Sequence, residues 1–140
     1  MRAHVKRPEP IALIHGLTAQ DFSTVENVLR EQGAQVLEVG CDRLHWQVGT
    51  LAGFAGFQPP QPAENVPLAS AVLLFSGFSG KAVDRALDAL RTTGVKIPLK
   101  AVVTATNQNW SFSALAEELE KERAAIMARK SVDNPEQSMQ

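Results

Sequence analysis

The chain has 140 residues, 44% of them apolar and 21% charged, enough to bury one core without disulfides or metals and too apolar for a wholly disordered polymer. Its 14 basic and 15 acidic residues leave a net charge of −1, which gives no basic face for neutralising nucleic-acid phosphates. Cys41 is the single cysteine, so an intrachain disulfide is excluded; no leader-type segment and no apolar run of the roughly 20 residues a bilayer requires is found, and a cytoplasmic protein with no membrane role is expected.

Residues 1–10, with Arg2, Lys6 and Arg7, read as a flexible N-terminal arm. Ile11 to His15 is a short apolar run opening on Gly16, the pattern of a buried strand. A helix follows, with Phe22, Val25, Val28 and Leu29 on one face and Gly33 as its stop. Val36 to Val39 reads as a second strand. Leu44 to Phe54 is then expected to form one short helix, although Gly49 and Gly53 each cost it about 1 kcal/mol relative to alanine. Gln58 to Pro67 carries four prolines and reads as an extended connection.

The pattern then restarts. Ala71 to Phe75 is a third strand, and Lys81 to Thr92 a helix with Val83, Ala86, Leu87 and Leu90 on its apolar face. Lys100 to Thr104 is a fourth strand, and Phe112 to Lys130 the longest helix, striped by Leu115, Leu119, Ile126 and Met127. Ser131 to Gln140 lacks periodicity and is expected to be a disordered tail.

The restart is close to a repeat. Gly16 is matched by Gly77, Leu29 and Arg30 by Leu90 and Arg91, and Gly33 by Gly94; beyond three extra residues near Ile97 to Leu99, Trp46 is matched by Trp110 and Leu51 by Leu115. One α/β domain over residues 11–130 follows, built from pseudo-repeats 11–57 and 68–130. Successive parallel strands need helical crossovers, so the expected core is a four-stranded, mostly parallel sheet in the order 2-1-3-4, with helices on both faces. A ferredoxin-like α+β sandwich with an antiparallel sheet is the alternative.

Three groups of residues bear on chemistry. Gly16-Leu17-Thr18 and Gly77-Phe78-Ser79 each sit between a strand and a helix, where free N–H groups favour an anion. Neither has the further glycines of a nucleotide-binding loop, whereas Thr18 and Ser79 fit as N-caps, and Leu17 with Phe22, and Phe78 with Val83, fit as hydrophobic staples. Thr104 to Ser111 is dense in hydrogen-bonding side chains just after the fourth strand and shares a sheet edge with Ser76 to Ser79. Thr104, Thr106, Asn107 and Asn109 could orient a polar small molecule beside Ser76, Gly77 and Ser79, with Trp110 as an apolar wall; capping and turn structure is the favoured reading of the same residues. Cys41, Asp42 and His45 follow the second strand and His15 the first. One cysteine and two histidines without ligand-pair spacing indicate neither a metal nor another cofactor, and no catalytic residue is assigned.

Leu74-Phe75-Ser76-Gly77-Phe78-Ser79, Leu90-Arg91, Ile97-Pro98-Leu99-Lys100-Ala101-Val102-Val103-Thr104, and Asn107 with Trp110 together resemble a bacterial family known only as domain of unknown function 3783, over about residues 71–122. The resemblance implies a fold and no activity. The first half departs from that pattern: His15 stands at the serine position, and Gly40-Cys41-Asp42-Arg43 replaces the Thr-x-Thr-Asn group.

The expectation is therefore a non-catalytic α/β module that binds a small polar ligand or a protein partner at the strand C-terminal edge of its second half. An enzyme using Cys41 with His15 or His45 is one alternative, and a purely structural or oligomerisation domain another. At about 1.5 Å per residue the last helix is about 28 Å long, more than a short four-stranded sheet covers, which predicts a homodimer through that helix.

Overall fold

A computed structural model describes residues 10–53, 68 and 70–133, with side chains placed through Arg129. The arm over 1–9, the proline-rich connection and the last seven residues of the tail lie outside the described residues.

The first unit consists of β1 (Ile11–His15), α1 (Ala19–Glu31) and β2 (Gln35–Glu38); after a 3-10 turn at Cys41–Arg43 comes α2 (Val48–Leu51). The second consists of β3 (Val72–Ser76), α3 (Gly80–Arg91) and β4 (Leu99–Val102), followed by a 3-10 turn at Asn107–Asn109 and by α4 (Phe112–Asp133). The helix expected across Leu44 to Phe54 is confined to the four residues of α2, and the left-handed Gly53 (φ 86°) lies just past its end. At the other end of the chain, α4 continues through Ser131, Val132 and Asp133, which the sequence reading assigns to the tail.

The helix starts are built alike. The Thr18 hydroxyl accepts from the Asp21 N–H at 3.1 Å, and the Ser79 hydroxyl accepts from the Ala82 N–H at 3.1 Å. Each bond satisfies a first-turn donor that helix geometry leaves orphaned, worth about 1 kcal/mol. Gly16 has φ +90°, and a Cβ there would lie 3.0 Å from the Ala71 Cα, so the turn out of β1 excludes any side chain.

The strands lie in the order β2-β1-β3-β4. β1 pairs with β2 and β3 with β4 in parallel, each pair bridged by its own helix, but β1 and β3 pair antiparallel from Ile11↔Ser76 to His15↔Val72. The sheet is therefore mixed, where the sequence predicts a mostly parallel one. The ferredoxin-like alternative is not found either, because both outer pairs are parallel and helices cover both faces.

Side chains alternate along the strands and separate two cores. Ala12, Ile14, Leu73 and Phe75 face Val25 and Leu29 of α1 and Ala86 and Leu90 of α3. Leu13, Val72, Leu74 and Leu99 face Val48 and Leu51 of α2 and Phe112, Leu115 and Ala116 of α4. Coverage on both sides explains why β3 is buried at all five positions and reads as an unbroken apolar run closed by one serine. Each fully buried Leu or Phe contributes about 1.5–3 kcal/mol through burial.

Across the α2/α4 layer the two units are also tied by backbone. Gln47 and Ser111 form an antiparallel bridge, the Val48 N–H donates to the Trp110 carbonyl (2.9 Å), and the Phe112 N–H donates to that of Trp46 (2.8 Å). Two further bonds extend the tie: the Ser113 N–H donates to the Leu44 carbonyl at 2.8 Å, and the Gln47 side-chain amide to the Asn109 carbonyl at 3.0 Å.

Candidate functional site

Because β3 and β4 are parallel, Ser76 to Ser79 and Thr104 to Trp110 leave the same end of the sheet. β1 and β2 run the other way, so His15 and the Cys41 turn lie at the opposite end. The two groups of polar residues picked out in the sequence thus leave the sheet at opposite ends, and the segments that follow them meet at the Gln47–Ser111 bridge.

At the β3/β4 end, Ser79 is occupied as the α3 cap. Gly77 turns the chain with φ 78°, and the ring of Phe78 meets that of Phe75 edge-on with centroids 5.0 Å apart. Ser76 is fully buried, and its hydroxyl has no hydrogen-bond partner among the described residues.

The loop after β4 is closed on itself. Asn107 Oδ1 accepts from the Thr104 N–H (2.8 Å), the Asn107 N–H donates to Thr104 Oγ1 (3.1 Å), and Asn107 Nδ2 donates to the Val102 carbonyl (3.1 Å). Asn109 Nδ2 donates to the Ala105 carbonyl at 3.3 Å, and the Gln108 N–H to the Thr104 carbonyl at 3.0 Å. Groups expected to orient a ligand therefore hold the turn, as asparagines do where they replace backbone partners. Thr106 is exposed and makes no capping bond. Ser111 caps α4 by accepting from the Ala114 N–H at 3.1 Å.

Asn107 has a second role. The Leu99 N–H donates to Ala71 and the Val103 N–H to Phe75, so the backbone of Lys100 and Val102 faces away from β3 along the open edge of the sheet. The Asn107 amide covers the last carbonyl of that edge, a local form of edge protection.

At the other end, His15 is buried. Its Nδ1–H donates to the Val39 carbonyl at 2.7 Å, which assigns the proton to Nδ1, and its ring meets Phe112 edge-on at 6.2 Å. Cys41 is exposed, and no hydrogen bond joins it to either histidine among the described residues. His45 has a buried Nδ1 without a partner among the described residues, while Arg43 lies 5.1 Å from the Trp46 ring centre in a cation–π contact. Among the described residues no three His, Cys, Asp or Glu side chains are grouped to hold a metal, and no helix is long and apolar enough to cross a membrane.

Two concavities flank β4. One of about 250 Å³ is lined by Leu87, Leu90, Arg91, Val95, Ile97 and Lys100. The other, about 240 Å³, opens between the start of β4 and the outer part of α4, with Pro98, Leu99, Leu119, Ile126 and Met127 in its walls and Glu122 and Arg123 beside them. Val102, Trp110, Ile126 and Met127 are the large apolar side chains left exposed among the described residues, at 42%, 37%, 50% and 57%. Sequence reasoning identified Trp110 as a candidate and passed over Val102. The available signal was its i+2 spacing from Lys100, which places it on the same strand face as a charged residue.

The family described as Domain of unknown function (DUF3783) matches residues 71–126, in agreement with the resemblance carried by the second half. Comparison with curated proteins and with solved structures gave no match.

Proposed function

We propose that the protein is a non-catalytic α/β interaction module that binds a protein partner through its second half. One observation carries this reading: the exposed large apolar side chains of the described residues, Val102, Trp110, Ile126 and Met127, all belong to that half. Trp and Met are enriched where proteins meet, and apolar surface of this kind favours association. Of the two occupants expected at the strand end, a small polar ligand is the less favoured, because Thr104, Asn107 and Asn109 use their polar groups on the loop itself. In this reading the two halves derive from one β-α-β-α unit, with the first retained as scaffold. Their matching caps and glycines support that descent, and the exposed free thiol of Cys41 suits the cytoplasm.

A thermal-shift screen against nucleotides, amino acids and divalent metals tests the proposal, because a ligand that binds only the folded chain raises its Tm. No reproducible shift is expected. A compound whose stabilising effect disappears in Thr106→Ala would overturn the reading in favour of a small-ligand module.

A further inference from the structure

The outer stripe of α4 has an unusual combination of properties. Its inner part is committed: Phe112, Leu115 and Ala116 are buried against the sheet, and Leu119 packs at the margin. One to two turns further on, Ile126 and Met127 continue the same i, i+3, i+4 row into solvent, and between them and Leu119 lie one acid and one base, Glu122 and Arg123. The row ends over a groove of about 240 Å³ whose floor is Pro98 and Leu99, at the open side of the sheet.

This row is complementary to itself in one orientation only. When two copies of α4 cross in opposite directions about a twofold axis near residues 122 and 123, Glu122 of each copy faces Arg123 of the other. Leu119 of each then faces Ile126 of the other, which enters the groove above Pro98. A parallel pairing in register would instead set Glu122 against Glu122 and Arg123 against Arg123. The wider charge distribution has the same polarity, with Glu117, Glu118 and Glu120 outnumbering Lys121 before the centre and Arg129 after it.

We propose that the partner is a second copy of this chain, held by antiparallel contact of the two α4 stripes with Ile126 and Met127 filling the groove beside Leu119 and Pro98. The pairing is isologous, so the same residues serve both subunits, and it buries the two most exposed large apolar side chains of the described surface. This inference rests on the interaction-module reading and names its partner.

The test is sedimentation or light scattering of the full chain from micromolar to millimolar concentration, applied to four proteins. The unaltered chain is expected to reach the mass of a dimer. Met127→Lys, at an exposed position where the monomer loses little, is expected to weaken the dimer by at least about tenfold with the Tm of the dilute protein unchanged. Glu122→Arg alone is expected to weaken it by about tenfold through facing like charges, and Glu122→Arg combined with Arg123→Glu to restore it to within about threefold, because the swapped pair is again complementary across the axis. A monomer at every concentration overturns the proposal and leaves the surface to a different protein, while the interaction-module reading stands or falls on its own ligand screen. A dimer indifferent to Met127→Lys, or one that the double charge swap fails to restore, overturns it equally.

Discussion

α2 and α4 occupy the same layer, and each starts just after a residue of the Gln47–Ser111 bridge, yet they end very differently. α2 stops after four residues, with Val48, Gly49 and Leu51 buried. α4 uses its first turns in the same way and then runs on, for 22 residues in all, carrying an apolar row beyond the surface that the sheet provides. The difference teaches that the shared core needs only about one turn from each helix. What α4 adds is available for another purpose.

The comparison is tested most severely at the shared part. Phe112 is fully buried and meets the His15 ring, so Phe112→Ala is expected to cost about 3–5 kcal/mol in chemical denaturation, with Leu51→Ala in α2 costing about 2–3 kcal/mol. A cost below about 1 kcal/mol at either site would show that its helix is not part of the core.

A second contrast lies within the loop after β4. Asn107→Ala removes two side-chain hydrogen bonds and uncovers the Val102 carbonyl, for an expected loss of about 1–2 kcal/mol, whereas Thr106→Ala, one residue earlier and without a capping bond, should stay within about 0.5 kcal/mol. Equal losses from the two variants would mean that the loop is not held by Asn107.

The smallest effect is expected where the halves differ most quietly. His15 and Ser76 are the last residues of β1 and β3 and both are buried, but among the described residues only the His15 side chain has a hydrogen-bond partner. Removing an unpaired buried hydroxyl leaves no orphaned group behind, so Ser76→Ala should be neutral or slightly stabilising in the same denaturation experiment. A loss above about 1 kcal/mol would reveal a bond that the geometry does not contain.

Much of this could be read from residue order. Two apolar runs each followed by a glycine turn, a hydroxyl cap and a helix stopped by glycine were enough to place β1, α1, β3 and α3 to within a residue or two. Strand direction was harder. When two equivalent strands lie side by side about an axis normal to the sheet, one must run against the other; apolar spacing has the same period in both cases and carries no sign of it. The overhang of the α4 row was legible from helix length alone, since Leu115 and Met127 have the same periodicity and their spacing does not mark where the sheet beneath them stops. In Thr104 to Asn109 the asparagines favoured turn structure, and Asn107 and Asn109 do bond to the loop's own backbone; which backbone groups they reach depends on the path of the turn and was not legible.

The reversed central pair has an electrostatic consequence. In a doubly wound parallel sheet the helices all start at one end, and their positive termini, each roughly half an elementary charge, reinforce one another over a single crevice. Here α1 starts where β1 ends and α3 starts where β3 ends, at opposite ends of the sheet, so α1 and α3 lie against each other with their dipoles opposed. The positive ends are divided between two distant loops, so the termini of α1 and α3 do not add at a single crevice.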